Sequence, residues 1–191
     1  MASRSLRIGF MPIADAAIPL VAARKGFDRA AGLVLELVRE TSWANIRDRL
    51  AVGQFDAAHL LAPMPVASAL GLMPLQAPLI APMALGLGGN AVTVSRALWQ
   101  DMGDALPGVC PGDPVSTGAA LRRVAERRRA SGQAAPSFAV VHAFSAHNYE
   151  LRYWLAAGGL DPDRDVGIDI VSPPFMPAAL ASGGIDGFCV G

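Results

Sequence analysis

The chain has no surplus of charge of either sign: 16 Lys and Arg are balanced by 16 Asp and Glu over 191 residues. Nucleic-acid binding leaves a basic excess, so direct binding of RNA or DNA is excluded as a leading function. Cysteine is scarce. Cys110 and Cys189 are the only two, with no CxxC and no metal-ligand spacing, which reads as two free thiols. His59, His142 and His147 are the only histidines, and none pairs with another at metal spacing. There is no Ser/His/Asp arrangement. Neither GxxxxGK[ST] nor a GxGxxG after a strand is present, so Gly88 and Gly89 form no phosphate loop. The sequence therefore predicts no catalytic residue, no metal and no cofactor.

Two further absences concern membranes. The start, MASRSLRIGF, has too short an apolar part for a signal-peptide core and no small-residue cleavage site after it. Taken alone this points to the cytoplasm; a chain whose signal had been removed would read the same, which is the periplasmic or membrane-anchored alternative. From Ala57 to Ser95 there is no Asp, Glu, Lys or Arg. A run of that length invites a membrane-spanning reading. Pro63, Pro65, Pro74, Pro78 and Pro82, with Gly71, Gly86, Gly88 and Gly89, cut it into pieces too short to span. The expectation is buried strand and helix segments of an α/β core. The composition, 52% apolar with a mean hydropathy of +0.37, can fill such a core.

What is present is a rhythm. LRIGF (6–10) reads as a strand and residues 16–32 as one helix, with Leu20, Ala23, Phe27 and Ala30 on one face and Gly32 as its stop. LVLELVRE (33–40) is a second strand, and Thr41 or Ser42 caps a helix running to about Val52. FDAAHLL (55–61) is a third strand, followed by a helix that begins at Pro63. PLIAPMALGL (78–87) and NAVTVS (90–95) read as strands, and residues 102–117 as a Gly- and Pro-rich surface connection. Helices are then expected over 118–132, 147–159 and 176–184, alternating with strands over 137–144, 166–173 and 185–190. Alternation of this kind predicts parallel, doubly wound sheets. It divides into two α/β lobes, 1–88 and 89–191. The chain stops one residue past an apolar strand, which suggests a fragment truncated at its C-terminus.

Several candidate sites fail on inspection. Asp161, Asp163 and Asp165 have EF-hand-like spacing, but Val166 and Ser172 stand where the loop needs Gly and Glu. The arginine-rich run Arg122–Arg129 reads as the solvated face of a helix. Two helix starts hold more interest. Trp43 follows Ser42, and His147 follows the cap Ser145, so each lies in a first turn. Helix N-termini present unpaired N–H groups and the positive end of the dipole, which suits anions. The dipole alone contributes only about 0.3–1 kcal/mol, so neutral side-chain donors are needed as well. The indole of Trp43, the imidazole of His147 and the carboxamide of Asn90 are such donors. His59, on an apolar strand, reads as a core histidine.

SWANIRDRLAVGQFDAAHLLAPMP, GNAVTVS, HNYELRYWLAAGGLDPDRDV and GGIDGFCVG together resemble the nitrate-binding family of periplasmic-binding-protein-like (type II) folds. That family includes nitrate and bicarbonate ABC-transporter binding proteins and cytosolic nitrate sensors that restrain an ANTAR-type antiterminator. The resemblance implies two lobes joined by hinge strands, with an anion in the cleft between them. By motif it implies Trp43, Asn90 and His147 as anion contacts, with Pro173 and Gly191 lining the cleft, Gly191 by its backbone. The transporter proteins commonly carry Gln where this chain has the shorter Asn90, and a lysine downstream of FCVG.

The leading expectation from sequence is a cytosolic sensor of nitrate or nitrite that controls nitrate assimilation through an antiterminator. The alternative is the extracytoplasmic binding component of a nitrate or bicarbonate ABC transporter, with membrane subunits as partners. Thiamine-pyrimidine synthases share the fold and the IGFMP opening, but need a histidine and cysteine cluster that this chain lacks, so an enzyme is not expected. Nitrate is planar and weakly basic, so it rewards neutral donors around a plane; bicarbonate carries a proton and needs an acceptor facing it.

Overall fold

The computed structural model describes residues 4–86 and 88–191. The chain divides into two compact units, Met1–Gly88 and Gly89–Gly191. In the first, β1 (Arg4–Phe10), β2 (Leu33–Arg39) and β3 (Ala57–Ala58) form a parallel sheet in the order β2-β1-β3. β3 is much shorter than the strand expected over 55–61. Its pairing reaches one residue further each way, through Asp56 N to the Arg7 carbonyl and His59 N to the Gly9 carbonyl, both 2.9 Å. The chain then turns into the helix that starts at Pro63.

The helices of this unit are α1 (Ala17–Lys25), α2 (Phe27–Ala30), α3 (Trp43–Ala51) and α4 (Pro63–Ala69). The single helix expected over 16–32 is split. Gly26 takes φ 75°, a left-handed conformation that ends α1 and redirects α2. The ring of Phe55 packs against β1 at Gly9, which makes room for it. A Cβ at Gly9 would fall 2.4 Å from the Phe55 ring.

The uncharged run 57–95 is only partly the buried core that the sequence suggests. His59, Met64, Ala67, Ser68 and Met73 are buried. Val66, Leu70 and Leu72 are exposed, and Ile80 is 90% exposed. α4 buries one face only. The strand expected over 78–87 is irregular chain over 78–86, outside both sheets, and Leu87 lies outside the described residues. Pro78 and Pro82 offer no N–H to a ladder, which explains the missing strand. Among the described residues no helix is long and apolar enough to cross a membrane.

The second unit contains β4 (Ala91–Val94), α5 (Arg96–Ala105), α6 (Pro114–Ala130), β5 (Ser137–Val140), α7 (Ala146–Ala157), β6 (Gly167–Ile170), α8 (Met176–Ala181) and β7 (Gly187–Val190). Its sheet runs β4-β7-β5-β6. β5, β6 and β7 are parallel, as expected, but β4 is antiparallel to β7, pairing Ala91 with Val190 and Val94 with Gly187. An antiparallel edge strand on a parallel sheet is common in α/β folds. The core gathers Leu98 and Met102 of α5, Leu121 and Val124 of α6, Phe138 and Val140 of β5, and Leu151 and Leu155 of α7.

The expected surface connection at 102–117 is shorter than the sequence suggests. α5 fills its first part, capped by Ser95, whose Oγ accepts from Leu98 N at 3.0 Å. α6 begins four residues earlier than expected. Asp113 caps it by accepting from Val115 N and Ser116 N, with Pro114 at the first position.

The arginines of α6 are less free than a solvated face implies. Arg128 donates to both carboxylate oxygens of Asp186, at 3.0 and 3.2 Å, and also meets Asp101. Arg123 and Arg127 donate to the carbonyls of Ala105 and Asp101, and Arg129 pairs with Asp165. Asp161, Asp163 and Asp165 form a turn closed on itself: Asp163 N donates to Asp161, and Asp161 N to Asp165. Among the described residues no cluster of His, Cys, Asp and Glu is arranged to hold a metal.

Candidate functional site

In a parallel sheet the loops after each strand all leave by one edge, and ligands in open α/β sheets sit at that carboxyl edge. Each unit has its own such edge.

On the first unit, β2 leads to α3 and β3 leads to α4, so Trp43 and His59 share the carboxyl edge. Ser42 takes extended backbone (φ −138°, ψ 133°) and its Oγ accepts from Ala44 N at 3.2 Å, which starts α3. Trp43 is then the first helical residue. It is 3% exposed, and its Nε1 is buried without a hydrogen-bond partner. Its ring meets that of His59 edge-on, with centroids 5.0 Å apart and planes at 84°. His59 is 4% exposed and its Nδ1 is also buried without a partner. Burial pushes the His59 pKa below its ordinary value of 6.5, against the opposing effects of the Asp15 charge and the Met11 carbonyl. Burial therefore favours the neutral form of the ring. A lone histidine in an apolar stretch gives no signal of this pairing; its position directly after β3 is the only available clue.

On the second unit, four of the expected residues lie on one edge of the sheet. The connections after β5 and β6 lead to His147, in the first turn of α7, and to Pro173. The end of β7 carries Gly191, and the antiparallel β4 begins beside it, just after Asn90. Three of these converge. A Cβ built on Gly191 would lie 3.0 Å from Asn90 Oδ1, 3.7 Å from His147 Nε2 and 3.7 Å from the Gly89 carbonyl. The close approach explains why a glycine stands there. Pro173 opens the 3-10 turn Pro173–Phe175 after β6 and is half-buried.

The turn that presents His147 is tightly knit. Ser145 Oγ donates to the His142 carbonyl at 2.7 Å and accepts from Asn148 N at 3.1 Å. Asn148 Nδ2 donates to the Ala143 carbonyl at 2.8 Å, and Phe144 N donates to His142 Nδ1 at 3.0 Å. This fixes α7 with Ser145 as its cap and His147 in its first turn.

Sequence reasoning missed Glu150. Its Oε2 accepts from Asn90 Nδ2 at 2.9 Å across sixty positions of chain. That bond sets the orientation of the Asn90 carboxamide, turning its Oδ1 toward Gly191. Glu150 is one turn beyond His147 on α7, a neighbour that no motif spacing marks as a partner of Asn90. Its charge also reaches Cys189 on β7. Burial first, and that charge second, push the Cys189 thiol up to about 11.

Comparison with known proteins agrees with this architecture. The chain is 38% identical over 191 residues to the bicarbonate transport ATP-binding protein CmpC of Synechococcus elongatus, covering 98% of this chain and 26% of that protein. It is 33% identical over 198 residues to the nitrate/nitrite binding protein NrtA of the same species, covering 98% and 42%. The crystal structure of the periplasmic nitrate-binding protein NrtA from Synechocystis superposes with a TM-score of 0.79 at 28% identity, covering 99% of this chain and 47% of that one. The chain thus spans less than half the length of each of these relatives. They are named for transport and for binding, in keeping with the expected binding module rather than an enzyme. The NMT1-like family model matches residues 1–191. The chain belongs to the NMT1-like family, has a periplasmic-binding-protein-like α/β fold, and is similar to nitrate- and bicarbonate-transport proteins.

Proposed function

We propose that the chain is the anion-binding module of a nitrate or bicarbonate import system. The observation that carries this reading is the convergence of Asn90, His147 and Gly191 at one sheet edge, where a Cβ built on Gly191 would meet both side chains within 3.0–3.7 Å. Trp43, with a buried and unpartnered N–H, contributes the donor of the first unit. Pro173 completes the set on the second. The Trp43 indole is a neutral donor of the kind a planar monovalent anion rewards; a site crowded with arginines would favour phosphate or sulfate.

The relative named for ATP binding shares only part of its length with this chain, and this chain has no phosphate-loop motif. The shared part is accordingly the solute-binding-like domain, with the membrane and ATP-driven parts of the transporter as partners. The names of the relatives speak of transport and binding. They give no support to a cytosolic sensor or an antiterminator partner, so the transporter reading takes precedence over the sensor expected from sequence. The solved nitrate-binding relative is a periplasmic protein, which favours an extracytoplasmic location here over the cytoplasmic one.

A calorimetric titration of nitrate, nitrite and bicarbonate, with chloride as control, tests the proposal. Saturable heat with at least one of the three and none with chloride supports it. No heat with any of them overturns it.

A further inference from the structure

The proposed function accounts for the buried N–H of Trp43. It leaves one buried group unexplained, the Nδ1 of His59. A buried polar atom without a partner costs about 1–3 kcal/mol and calls for a reason. Here two such atoms occur together. Trp43 Nε1 and His59 Nδ1 are both buried and unpartnered, on rings 5.0 Å apart.

Their chemistry is complementary. An indole nitrogen only donates. A neutral imidazole has one N–H and one lone-pair nitrogen, and the Met11 backbone carbonyl favours keeping the N–H toward itself. Nδ1 is then the acceptor. On two rings in edge-on contact, such a donor and acceptor are satisfied together by a group that both accepts and donates, as a hydroxyl does. Nitrate has three acceptor oxygens and no proton to give. Bicarbonate has the same planar shape and charge, with a hydroxyl on one oxygen.

Resting on the anion-binding reading above, we propose that His59 is a specificity-determining residue: its Nδ1 accepts the hydroxyl of bicarbonate while Trp43 Nε1 donates to the same oxygen, so that the site prefers bicarbonate to nitrate. Against nitrate, His59 Nδ1 faces another acceptor and stays unpaired. A site built to hydrogen-bond a substrate hydroxyl discriminates against the analogue that lacks it.

The test is a titration of each anion, at mildly alkaline pH where bicarbonate predominates, into the wild-type protein, His59→Phe and His59→Gln. Phe keeps a ring edge against Trp43 without a nitrogen; Gln restores an acceptor. Wild type is expected to bind bicarbonate about 10-fold or more tighter than nitrate. His59→Phe is expected to lose about 10-fold in bicarbonate affinity with nitrate changed less than about 2-fold, and His59→Gln to recover most of the loss. In the wild-type protein, without any substitution, the ¹⁵N resonance of His59 Nδ1 is expected to move on adding bicarbonate and to hold still with nitrate.

Tighter binding of nitrate by wild type overturns the proposal while leaving the anion site standing. So does an equal fall for both anions in His59→Phe, or a resonance that ignores bicarbonate. If wild type binds neither anion, the anion-binding reading fails first and this proposal falls with it.

Discussion

Replacing Gly158 with alanine tests how helix packing holds the site. Gly158 caps α7 with φ −75° and ψ −5°, a conformation any residue adopts, so the substitution adds no backbone strain. It adds a methyl group where there is no room. The new Cβ would lie 2.9 Å from the Gly118 Cα and 3.0 Å from the Gly118 carbonyl carbon and oxygen. Ordinary contact begins at 3.4 Å, so the end of α7 and the backbone of α6 must separate by about 0.5–1 Å. They cannot slide apart freely, because Trp154 Nε1 donates to the Pro114 carbonyl at 3.1 Å and ties the two helices.

Overpacking of this kind costs about 1–3 kcal/mol, and the helix propensity of alanine returns at most about 1 kcal/mol. A net loss of about 1–2 kcal/mol is expected, equal to a fall in Tm of roughly 4–16 °C for a unit of this size. α7 is 12 residues long and carries His147 in its first turn, about 16 Å from the clash. Tilting it shifts His147 against Asn90 and Gly191, so anion affinity falls several-fold as well. Urea unfolding followed by far-UV circular dichroism gives the stability; calorimetry gives the affinity. Gly103→Ala is the control, since that glycine lies inside α5 with open space at its Cβ position. It should stabilise by about 0.5–1 kcal/mol. If Gly158→Ala is as stable as wild type and binds equally, the Gly118–Gly158 contact does not set the helix spacing and the reasoning is wrong.

Two other outcomes follow from protonation and burial. Cys110 is exposed, whereas Cys189 is 1% exposed with its thiol pushed up to about 11. A thiol reagent at neutral pH should label Cys110 in the native protein and reach Cys189 only after unfolding; rapid labelling of both would contradict the burial. His59 is held neutral by burial, with its pKa below 6.5 in the fold. The unfolded chain therefore binds a proton that the folded one refuses, so this contribution to stability is complete above pH 6.5 and is lost as pH falls below it. The slope reaches at most about 1.4 kcal/mol per pH unit and should vanish in His59→Phe; equal slopes in both proteins would show that His59 is not the group responsible.

Local signals make much of this fold legible in the sequence. Ser42 and Ser145 cap their helices as their side chains suggest, with hydrogen bonds of 3.2 and 3.1 Å to following amides. The strand-helix alternation of the first unit is visible in its apolar pattern. What escapes is set by tertiary contacts. α5 is absent from the sequence expectation, although Ser95 and the spacing of Leu98 and Met102 mark it. Asp113 and Pro114 are good helix-start signals, but sit in a stretch so rich in glycine and proline that it reads as loop. The antiparallel direction of β4 depends on its pairing with β7, nearly a hundred residues away. The charge-free run looks like core throughout, yet Val66, Leu70 and Ile80 face outward, because polarity alone does not reveal which face of a helix or extended segment is covered.

The site shows the same division. Asn90, His147 and Gly191 are indicated by motif, and their mutual approach is visible only in the folded second unit. Glu150 acts on Asn90 from a different element, so no local spacing reveals it. Trp43 and His59 stand sixteen positions apart, and their edge-on contact arises because β2 and β3 flank β1 and deliver both residues to one edge.

The central claim of the proposal is that the buried, unpartnered Trp43 N–H donates to a planar anion. The most direct measurement is a calorimetric titration of nitrate and bicarbonate into wild type and Trp43→Phe, which keeps an aromatic ring and removes the N–H. One hydrogen bond to a charged partner is worth about 1.5–3 kcal/mol. The account predicts saturable binding to wild type and a loss of about 10- to 100-fold in the variant. Equal affinity in the two proteins, or no binding to wild type, would contradict it.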